Sequence, residues 1–199
     1  VVNNVETLAN IPDIVINGGA AFAKTGTAGS TGSRLFCLSG HVEKPGLYEI
    51  ECGRTLGEAI ALAGGVREGR TVQAILLGGA AGTFVGADAL DMPLSFEGAR
   101  ARQATLGSGV VMVFDDAVDL RDTLRRIAEF FRHESCGQCV PCRIGTIRQL
   151  ERLTHAHGAP VDDELSQAMR DASICGLGQT ASSAIESAFA NIATLRRPS

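Results

Sequence analysis

The segment Glu134-Ser-Cys-Gly-Gln-Cys-Val-Pro-Cys-Arg-Ile-Gly-Thr146 carries the strongest signal in this sequence, because it spaces three cysteines as Cys-x2-Cys-x2-Cys. A further cysteine stands among small residues in Ser173-Ile-Cys-Gly-Leu-Gly-Gln179. Three closely spaced thiolates completed by a remote fourth are the usual ligand set of a [4Fe–4S] cluster. The pattern therefore predicts such a cluster. Its predicted ligands are Cys136, Cys139, Cys142 and Cys175.

Zinc is an alternative occupant of this site, because thiolates bind zinc as well as iron–sulfur clusters. Structural zinc sites more often pair two Cys-x2-Cys knuckles, or combine Cys with His, so the spacing favours the cluster. A purely structural or disulfide role is a third alternative. The other two cysteines, Cys37 and Cys52, are predicted to be single buried or half-buried thiols in strands rather than ligands.

The composition is that of a globular protein of one or two domains, with 199 residues, 45% of them hydrophobic. The net charge of −4 gives no case for nucleic acid or an anionic membrane as a partner. The sequence contains no apolar run long enough to span a bilayer and no signal peptide. Four of the six cysteines follow a metal-binding pattern, which favours a reducing, cytoplasmic location. Because the chain opens at Val1 without an initiator Met, we expect it to be a piece of something longer.

Residues 1–33 are predicted to be a short helical segment followed by a linker. Asn4 is a candidate helix cap, Pro12 is expected near a helix start or at a break, and Gly18-Gly19 can end the apolar turn before it. The glycine-rich stretch 25–32 is interpreted as a linker, since a phosphate-binding loop needs a strand before it and a helix after it.

Residues 34–115 are predicted to mix strands with a helix, and the pattern is that of an α+β roll. Thr55 and Glu58 form a capping box for the helix. The predicted strands are 34–39, 47–50, 72–77 and 109–114. This segment shows no nucleophile–base pair and no metal-ligand set, and His41 is interpreted as a surface or turn histidine rather than a catalyst. We therefore expect a scaffold.

Residues 116–199 are predicted to form an all-helical bundle of four antiparallel helices. The first is capped by Asp119, the second begins near Pro141, the third spans Pro160 to Ala172, and the fourth spans 181–195. Both cysteine segments fall at connections at one end of such a bundle, which would bring all four thiols together. The nearby His155 and His157 fit a solvated helix end better than a metal site.

Four motifs in this chain resemble the NADH-oxidising flavoprotein subunit of complex I, of soluble NAD-reducing hydrogenases and of soluble NAD-dependent formate dehydrogenases. The motifs are Val2-Asn-Asn-Val-Glu-Thr7, Leu38-Ser-Gly-His-Val-Glu-Lys-Pro-Gly46, Leu106-Gly-Ser-Gly109 and Glu134-Ser-Cys-Gly-Gln-Cys-Val-Pro-Cys142. The resemblance covers essentially the whole chain and places it in the C-terminal portion of that family.

The resemblance implies an α+β fold in three parts. Residues 1–33 would be the tail of an α/β domain that binds FMN and NADH, together with a linker. Residues 34–115 would be a β-grasp domain of the soluble-ligand-binding type. Residues 116–199 would be a four-helix bundle that holds one [4Fe–4S] cluster.

The resemblance also implies which residues approach the flavin. The expected FMN contacts are Val2, Asn3, Asn4 and Thr7 at the start of the chain, with Gly176 and Leu177 from the second cysteine loop. The family's glycine-rich FMN and NADH loops lie upstream of these residues and are not found in this sequence. We therefore expect the 199-residue chain alone not to oxidise NADH.

The implied function is electron transfer between NAD(H), FMN and iron–sulfur centres, with hydride transfer at the flavin and single electrons at the cluster. Gly176-Leu-Gly-Gln179 replaces the Ala-Leu-Gly-Asp typical of complex I, which favours the formate dehydrogenase or hydrogenase branch. We expect NAD-dependent formate dehydrogenase, with complex I and NAD-reducing hydrogenase as alternatives. Expected partners are other subunits, including a [2Fe–2S] thioredoxin-like subunit. The alternative from a different functional class is a structural or docking module that binds zinc.

Three groups are candidates to tune the potential of the cluster, because four thiolates leave the site anionic. They are the Arg143 side chain and the backbone amides of Gly137 and Gly145. A solvated arginine with no role at the site is the alternative for Arg143.

Overall fold

The computed structural model describes residues 1–155 and 161–196, which form one five-stranded sheet with helices on both of its faces. The strands are β1 (Ser33–Gly40), β2 (Gly46–Glu51), β3 (Val72–Leu77), β4 (Thr83–Gly86) and β5 (Val110–Asp115). The fold is mixed α+β, as predicted. Four of the strands lie where the sequence pattern predicts them, whereas the short β4 was not predicted.

The sheet has the strand order β2-β1-β5-β3-β4. The hairpin partner β2 and the edge strand β4 pair antiparallel with β1 and β3, while the central pair of β1 and β5 is parallel. In this pair Leu38 lies opposite Val111. The first and last strands of the segment therefore meet at the centre of the sheet, and the chain leaves β5 directly toward the helices.

One face of the sheet carries the larger hydrophobic core. Phe36 and Leu38 of β1 point into it and are fully buried, whereas Leu35 and Cys37 alternate with them on the opposite face. Helix α3 (Leu56–Leu62) covers this core, and its predicted Thr55–Glu58 capping box is present. Helix α4 (Phe96–Ala101), which the sequence pattern did not predict, covers it as well.

The opposite face of the sheet is covered on its β3–β4 side by helices from the C-terminal part of the chain. Phe84 and Phe114 from the sheet pack with Leu124 and Ile185 from two of these helices in a second core. The two phenyl rings are 5.7 Å apart between centroids. Because this core joins strands to helices, the helices have a definite position relative to the sheet.

The helices of the C-terminal part are α5 (Leu120–Glu134), α6 (Val140–Thr154), α7 (Asp163–Ala172), α8 (Gly176–Thr180), α9 (Ser183–Asn191) and α10 (Ala193–Arg196). Asp119 caps α5 as predicted. The predicted fourth helix is wrong as a single element, since the chain turns at residues 181–182 and again at the extended Ile192. The predicted start of the third helix at Pro160, and His157 with it, lie outside the described residues.

Helix α9 also saturates the backbone of the edge strand β4. The Ser187 hydroxyl oxygen accepts the Phe84 N–H at 2.9 Å, and the Asn191 side-chain amide donates to the Phe84 carbonyl at 2.8 Å. An uncovered edge strand exposes such groups to other chains. The two side chains therefore close the sheet edge and hold α9 against it.

The N-terminal segment forms α1 (Val5–Asn17) and α2 (Gly19–Phe22). Asn4 caps α1 as predicted, but Pro12 lies inside the helix, so the predicted break is wrong. Gly18 ends α1 with φ +87°. No residue of α1 is buried in the part of the chain that the structure describes.

The loop expected to be a flexible linker is held in place by a single carboxylate. The hydroxyls of Thr27 and Ser30 donate to the two oxygens of Glu97 at 2.5 and 2.6 Å. Hydrogen bonds from Ser30 and Thr27 lower the pKa of Glu97 to about 2. The Phe96 N–H donates to the Ser30 hydroxyl at 2.9 Å, so the loop is tied to the start of α4.

A membrane-crossing helix is not found among the described residues, since none of their helices is both long and apolar enough.

Candidate metal centre

The first three cysteines lie where α5 gives way to α6. Cys136 follows the end of α5, Cys139 is the N-cap of α6, and Cys142 lies in the first turn of α6. Gly137 makes the tight turn between the first two cysteines with φ +75°, a backbone conformation that favours glycine. The Cys-x2-Cys-x2-Cys spacing thus becomes a short loop that continues directly into a helix N-terminus.

The fourth cysteine reaches this loop from the turn between α7 and α8. Cys175 is the N-cap of α8 and is exposed. The backbone N–H of Ile174 hydrogen-bonds to the Cys139 thiol. On the other side, Gly178 approaches so closely that an added Cβ would lie 2.8 Å from Cβ of Cys142. The two cysteine segments are therefore in contact, although more than 30 residues separate them in the sequence.

The thiol of Cys142 is affected by all three of the other cysteines. Burial raises its pKa, the Ser135 hydroxyl opposes this shift, and negative charge on Cys139, Cys175 and Cys136 would raise the pKa further. Cys142 is 5% exposed, whereas Cys136 and Cys175 lie at the surface. The four thiols therefore lie close enough to influence each other electrostatically.

The pKa of the Cys139 thiol is lowered by its surroundings. Hydrogen bonds from the backbone N–H groups of Ile174 and Cys142 lower its pKa, burial opposes them, and the Ser173 hydroxyl adds to the lowering. A thiolate is the form that binds a metal, and helix N-termini favour negative charge. The position of Cys139 at the start of α6 is consistent with a ligand role.

The described residues include no three His, Cys, Asp or Glu side chains that already form a set able to hold a metal ion. The ligand assignment therefore depends on the contact between the two cysteine segments. Two features fit a cluster. The donors are soft sulfurs, and the buried Ser173 hydroxyl forms no hydrogen bond of normal geometry, although it lies near enough to the Cys139 thiol to lower its pKa.

The three groups predicted to tune the potential of the cluster lie in different surroundings. Arg143 is exposed, and its guanidinium donates to the Gly137 carbonyl at 3.4 Å, so it contacts the cysteine loop. The Gly137 N–H donates to the Ser135 hydroxyl at 3.4 Å and is therefore already partnered. Gly145 is buried in α6, where an added Cβ would lie 2.3 Å from the Met169 sulfur. Gly145 therefore permits the close packing of α6 on α7.

Ser135 and Ser173 were not recognised from the sequence, and the structure places both beside ligand positions. The Ser135 Oγ lies 3.3 Å from the Cys142 Sγ. Ser173 is buried, and an added Cβ on Gly178 would lie 2.4 Å from its Oγ. Their position in the sequence could have indicated them, because Ser135 lies one residue before Cys136 and Ser173 lies two residues before Cys175.

The residues expected to approach a flavin fall in two places. Val2 and Asn3 are exposed, and the Asn4 side chain accepts the Thr7 N–H at 3.2 Å as a helix cap. Asn4 and Thr7 also line a cavity of about 390 Å³ beside β1.

In the second cysteine loop, Gly176 is exposed with open space around it, and Leu177 is half-buried against Phe131 and Met169. Exposed apolar side chains also surround the cysteines, since Val140 is 59% and Ile174 is 76% exposed. The candidate metal centre therefore lies at a surface with apolar character.

Two family models match the chain. Residues 122–194 match the NADH-ubiquinone oxidoreductase-F iron-sulfur binding region, and residues 34–113 match the SLBB domain. The first match contains all four cysteines of the candidate metal centre.

Among curated proteins, the F-type subunit of NADH-quinone oxidoreductase in Mycobacterium tuberculosis is 38% identical over 196 residues, a match that covers 95% of this chain and 44% of the relative. NADP-reducing hydrogenase subunit HndC of Solidesulfovibrio fructosivorans is 38% identical over 188 residues, covering 90% of this chain and 38% of the relative. The chain thus spans less than half the length of these relatives.

Among solved structures, an NAD⁺-reducing [NiFe]-hydrogenase in the H2-reduced state matches with a TM-score of 0.82 and 39% identity. This match covers 96% of the present chain and 34% of the hydrogenase chain. The relatives are subunits of oxidoreductases. The chain is thus similar over nearly its whole length to F-type subunits of NADH-quinone oxidoreductase and to related hydrogenase subunits, and its residues 122–194 match an iron–sulfur binding region.

Proposed function

We propose that Cys136, Cys139, Cys142 and Cys175 ligate one [4Fe–4S] cluster, and that the chain carries electrons between an NAD(H)–FMN centre and further iron–sulfur centres. The observation that carries this proposal is the meeting of two cysteine segments at Cys142, whose thiol is affected by all three others. The match of residues 122–194 to an iron–sulfur binding region supports it. When bound, the cluster supplies reversible one-electron chemistry.

The protein itself supplies ligation, a fixed position and partial neutralisation of charge. The N–H groups of Ile174 and Cys142 stabilise a thiolate on Cys139. The Arg143 guanidinium lies against the cysteine loop and reduces the negative potential of four thiolates. Burial of Cys142 keeps one ligand away from water, whereas the exposed Cys136 and Cys175 leave a side through which an electron can enter or leave.

The finer assignment places this chain in a longer flavoprotein subunit. Residues 1–33 would be the tail of the flavin-binding domain, residues 34–115 a β-grasp domain and residues 116–199 a four-helix bundle. The strand order β2-β1-β5-β3-β4, with parallel central strands, supports the second part. The proposed FMN contacts are Val2, Asn3, Asn4, Thr7, Gly176 and Leu177.

The proposed surroundings are those of a cytoplasmic, multi-subunit, NAD-linked oxidoreductase. A [2Fe–2S] thioredoxin-like subunit is one proposed partner. Formate is proposed as the terminal donor on the basis of Gly176-Leu-Gly-Gln179 alone. The names of the similar proteins point to quinone and hydrogen as the competing terminal reactants. Assaying the assembled complex with formate, hydrogen and a quinone would distinguish the three.

The cluster is tested by reconstituting the chain with iron and sulfide and measuring iron, labile sulfide, zinc and the EPR spectrum. We expect a brown, reducible, EPR-active centre in the wild type. Cys→Ser changes at each of the four ligands should lower the iron and sulfide content, whereas Cys37→Ser is the control and should retain both. A colourless protein with stoichiometric zinc would support the docking-module alternative, and full iron retention in Cys142→Ser would contradict the ligand set.

The same preparation tests the proposal that this piece lacks a complete flavin site. With FMN and NADH added, we expect a cluster signal, no tight FMN and no turnover, because hydride transfer needs both reactants held in close alignment. Stoichiometric FMN retained through gel filtration, or bleaching of the cluster by NADH, would contradict this.

A further inference from the structure

The hydroxyl of Ser135 is placed to donate a hydrogen bond to a ligand sulfur. Its Oγ lies 3.3 Å from Sγ of Cys142, within the range for a bond to sulfur. The same Oγ accepts the Gly137 N–H at 3.4 Å. A ligating Cys142 is a thiolate with no proton to give, so the Ser135 hydroxyl becomes the donor.

The hydroxyl of Ser173 is buried and forms no hydrogen bond of normal geometry, although it lies near enough to the Cys139 thiol to lower its pKa. The backbone of Ser173 is already satisfied, because its N–H donates to the Met169 carbonyl at 3.2 Å and its carbonyl accepts a hydrogen bond from the Gln179 side chain at 3.0 Å. The hydroxyl is therefore not needed to end α7. A buried, unpartnered polar group in a folded protein requires an explanation, and one explanation is an ion or cofactor at that place.

The surroundings direct the Ser173 hydroxyl toward the thiols. Gly178 packs against both Ser173 and Cys142, since an added Cβ would lie 2.4 Å from Ser173 Oγ and 2.8 Å from Cys142 Cβ. Ile174, the next residue after Ser173, binds the Cys139 thiol through its N–H. The hydroxyl itself contributes to the lowered pKa of Cys139, so it lies beside that thiol.

We propose that Ser135 and Ser173 are positioning residues whose hydroxyls donate hydrogen bonds to the Cys142 and Cys139 thiolates and so raise the reduction potential of the bound cluster. This inference rests on the proposed function. Reduction adds one negative charge to the cluster and its thiolates. A hydrogen bond to sulfur stabilises that added charge more than the oxidised state, which raises the potential.

In this proposal neither serine touches the reacting atoms of NADH or flavin. Replacing either serine should therefore change the reduction potential of the cluster rather than the chemistry at the flavin. The two hydroxyls come from the two different cysteine segments, Ser135 from the first and Ser173 from the second. Each segment would therefore contribute one donor, and the donors would approach the site from separate helix ends. Both sulfurs belong to one site, so the two effects can couple, and the double variant measures that coupling.

The test uses Ser135→Ala, Ser173→Ala and the double variant of the full chain, reconstituted as above. Ser182→Ala is the matched control, since its hydroxyl is also buried and unpartnered but lies in the turn between α8 and α9. Iron and labile sulfide are measured first, and the midpoint potential is then found by an EPR-monitored redox titration.

We expect each single variant to lower the midpoint potential by an amount that corresponds to about a tenfold change in the ratio of reduced to oxidised cluster, roughly 59 mV for one electron. The double variant should show a larger shift than either single variant, and Ser182→Ala should show none. Ser135→Thr retains a hydroxyl and should restore the wild-type potential.

The proposal is overturned if both alanine variants hold a full cluster at the wild-type potential, a result that leaves the proposed function intact. If an alanine variant fails to hold iron, the threonine variant at the same position, Ser135→Thr or Ser173→Thr, decides, because a retained hydroxyl must restore both cluster and potential. Failure of that variant to restore them overturns the proposal. Absence of iron from the reconstituted wild type instead overturns the proposed function itself.

Discussion

Nδ1 of His41 lies 3.0 Å from Oδ1 of Asp115, and the Asp115 carboxylate is almost completely buried. The backbone N–H of Asp115 donates to the same Nδ1 at 3.3 Å, and the contact with His41 is among the interactions that lower the pKa of the Asp115 carboxylate. The sequence suggested only a surface or turn histidine. The structure shows a half-buried His41 that joins the end of β1 to the end of β5.

The carboxylate of Asp115 has further partners that stabilise its charged form. Burial raises its pKa, but the Ala117 N–H, His41 and Arg70 together lower the pKa below its usual value. Ala117 donates to Oδ1 at 3.1 Å and belongs to the turn that leads into α5. The His41–Asp115 contact thus supports the point at which the sheet passes into the helices.

We predict that His41→Ala lowers the free energy of unfolding by about 1–3 kcal/mol, because it leaves a buried carboxylate without one of its donors. His133→Ala is the control, since the His133 side chain is 88% exposed, and it should change stability by less than about 0.5 kcal/mol. Chemical denaturation measures both. Equal stability of the two variants would show that the buried contact contributes nothing.

The same variant tests the scaffold role expected for residues 34–115. In the assembled enzyme, His41→Ala should leave NADH–ferricyanide turnover within a few-fold of wild type, because the site shows no nucleophile or metal partner beside His41. A thousandfold loss, about 4 kcal/mol of barrier, would instead place chemistry in this segment.

The Glu97 carboxylate predicts a specific dependence of stability on acid. Its pKa in the folded chain is about 2, below the ordinary value of 4.5. The contribution of the charged carboxylate to the free energy of unfolding is therefore fully present above pH 4.5 and is lost as the pH falls toward 2. Glu97→Gln should therefore be less stable than wild type at pH 6, and the difference should shrink as the pH approaches 2.

The control for Glu97→Gln is Glu51→Gln, which changes an exposed carboxylate at the end of β2. Urea denaturation at several pH values compares the two variants with wild type. If the difference in the free energy of unfolding between wild type and Glu97→Gln stays constant across this pH range, the hydrogen bonds from Thr27 and Ser30 do not require a charged Glu97.

The contact between the two cysteine segments predicts that Gly178→Ala disturbs the metal site. The added Cβ would lie 2.4 Å from Ser173 Oγ and 2.8 Å from Cys142 Cβ, distances at which atoms must move. Overpacking of this kind costs about 1–3 kcal/mol. We expect less iron and sulfide after reconstitution, and a lower melting temperature.

Gly19→Ala serves as the control for this change, because nothing lies within 4 Å of the position of its added Cβ. It should retain wild-type iron content. If Gly178→Ala also retains the wild-type iron content and melting temperature, the two cysteine segments do not pack as closely as described.

The second core predicts that Leu124→Ala is strongly destabilising. Leu124 is 0% exposed and joins α5 to Phe84 and Phe114 of the sheet. Removing its side chain should lower the free energy of unfolding by about 2–5 kcal/mol. Leu62→Ala, at a position 57% exposed, should have a much smaller effect in the same denaturation experiment. Similar losses in both variants would argue against the core between sheet and helices.

The positions of the four candidate ligands, most of the strands and three helix caps were determined by local sequence. The caps are Asn4, Thr55 with Glu58, and Asp119, and the chemistry of each is complete within one helical turn. The Cys-x2-Cys-x2-Cys spacing is likewise a local signal. Such features need no information about distant residues, and for this reason a pattern in the sequence predicts them.

Other features depended on contacts between distant residues. The fourth helix breaks at residues 181–182 and at Ile192, where α9 turns to bind β4 through Ser187 and Asn191. Cys37 is exposed rather than buried or half-buried, because it lies on the face of β1 that the helices leave uncovered. Local periodicity predicts neither the helix breaks nor the exposure of Cys37, because both depend on which face of the sheet the helices pack against.

The sequence by itself determined which thiols are candidates, because their spacing and flanking glycines are local properties of two short segments. Only the tertiary structure decided what surrounds them. Ser135 and Ser173 lie beside Cys142 and Cys139 because the end of α5, the start of α6 and the end of α7 meet at one place. The contact made by Ser173 comes from the packing of α7 against α6, and side-chain partners set by tertiary packing leave no periodic trace in the sequence.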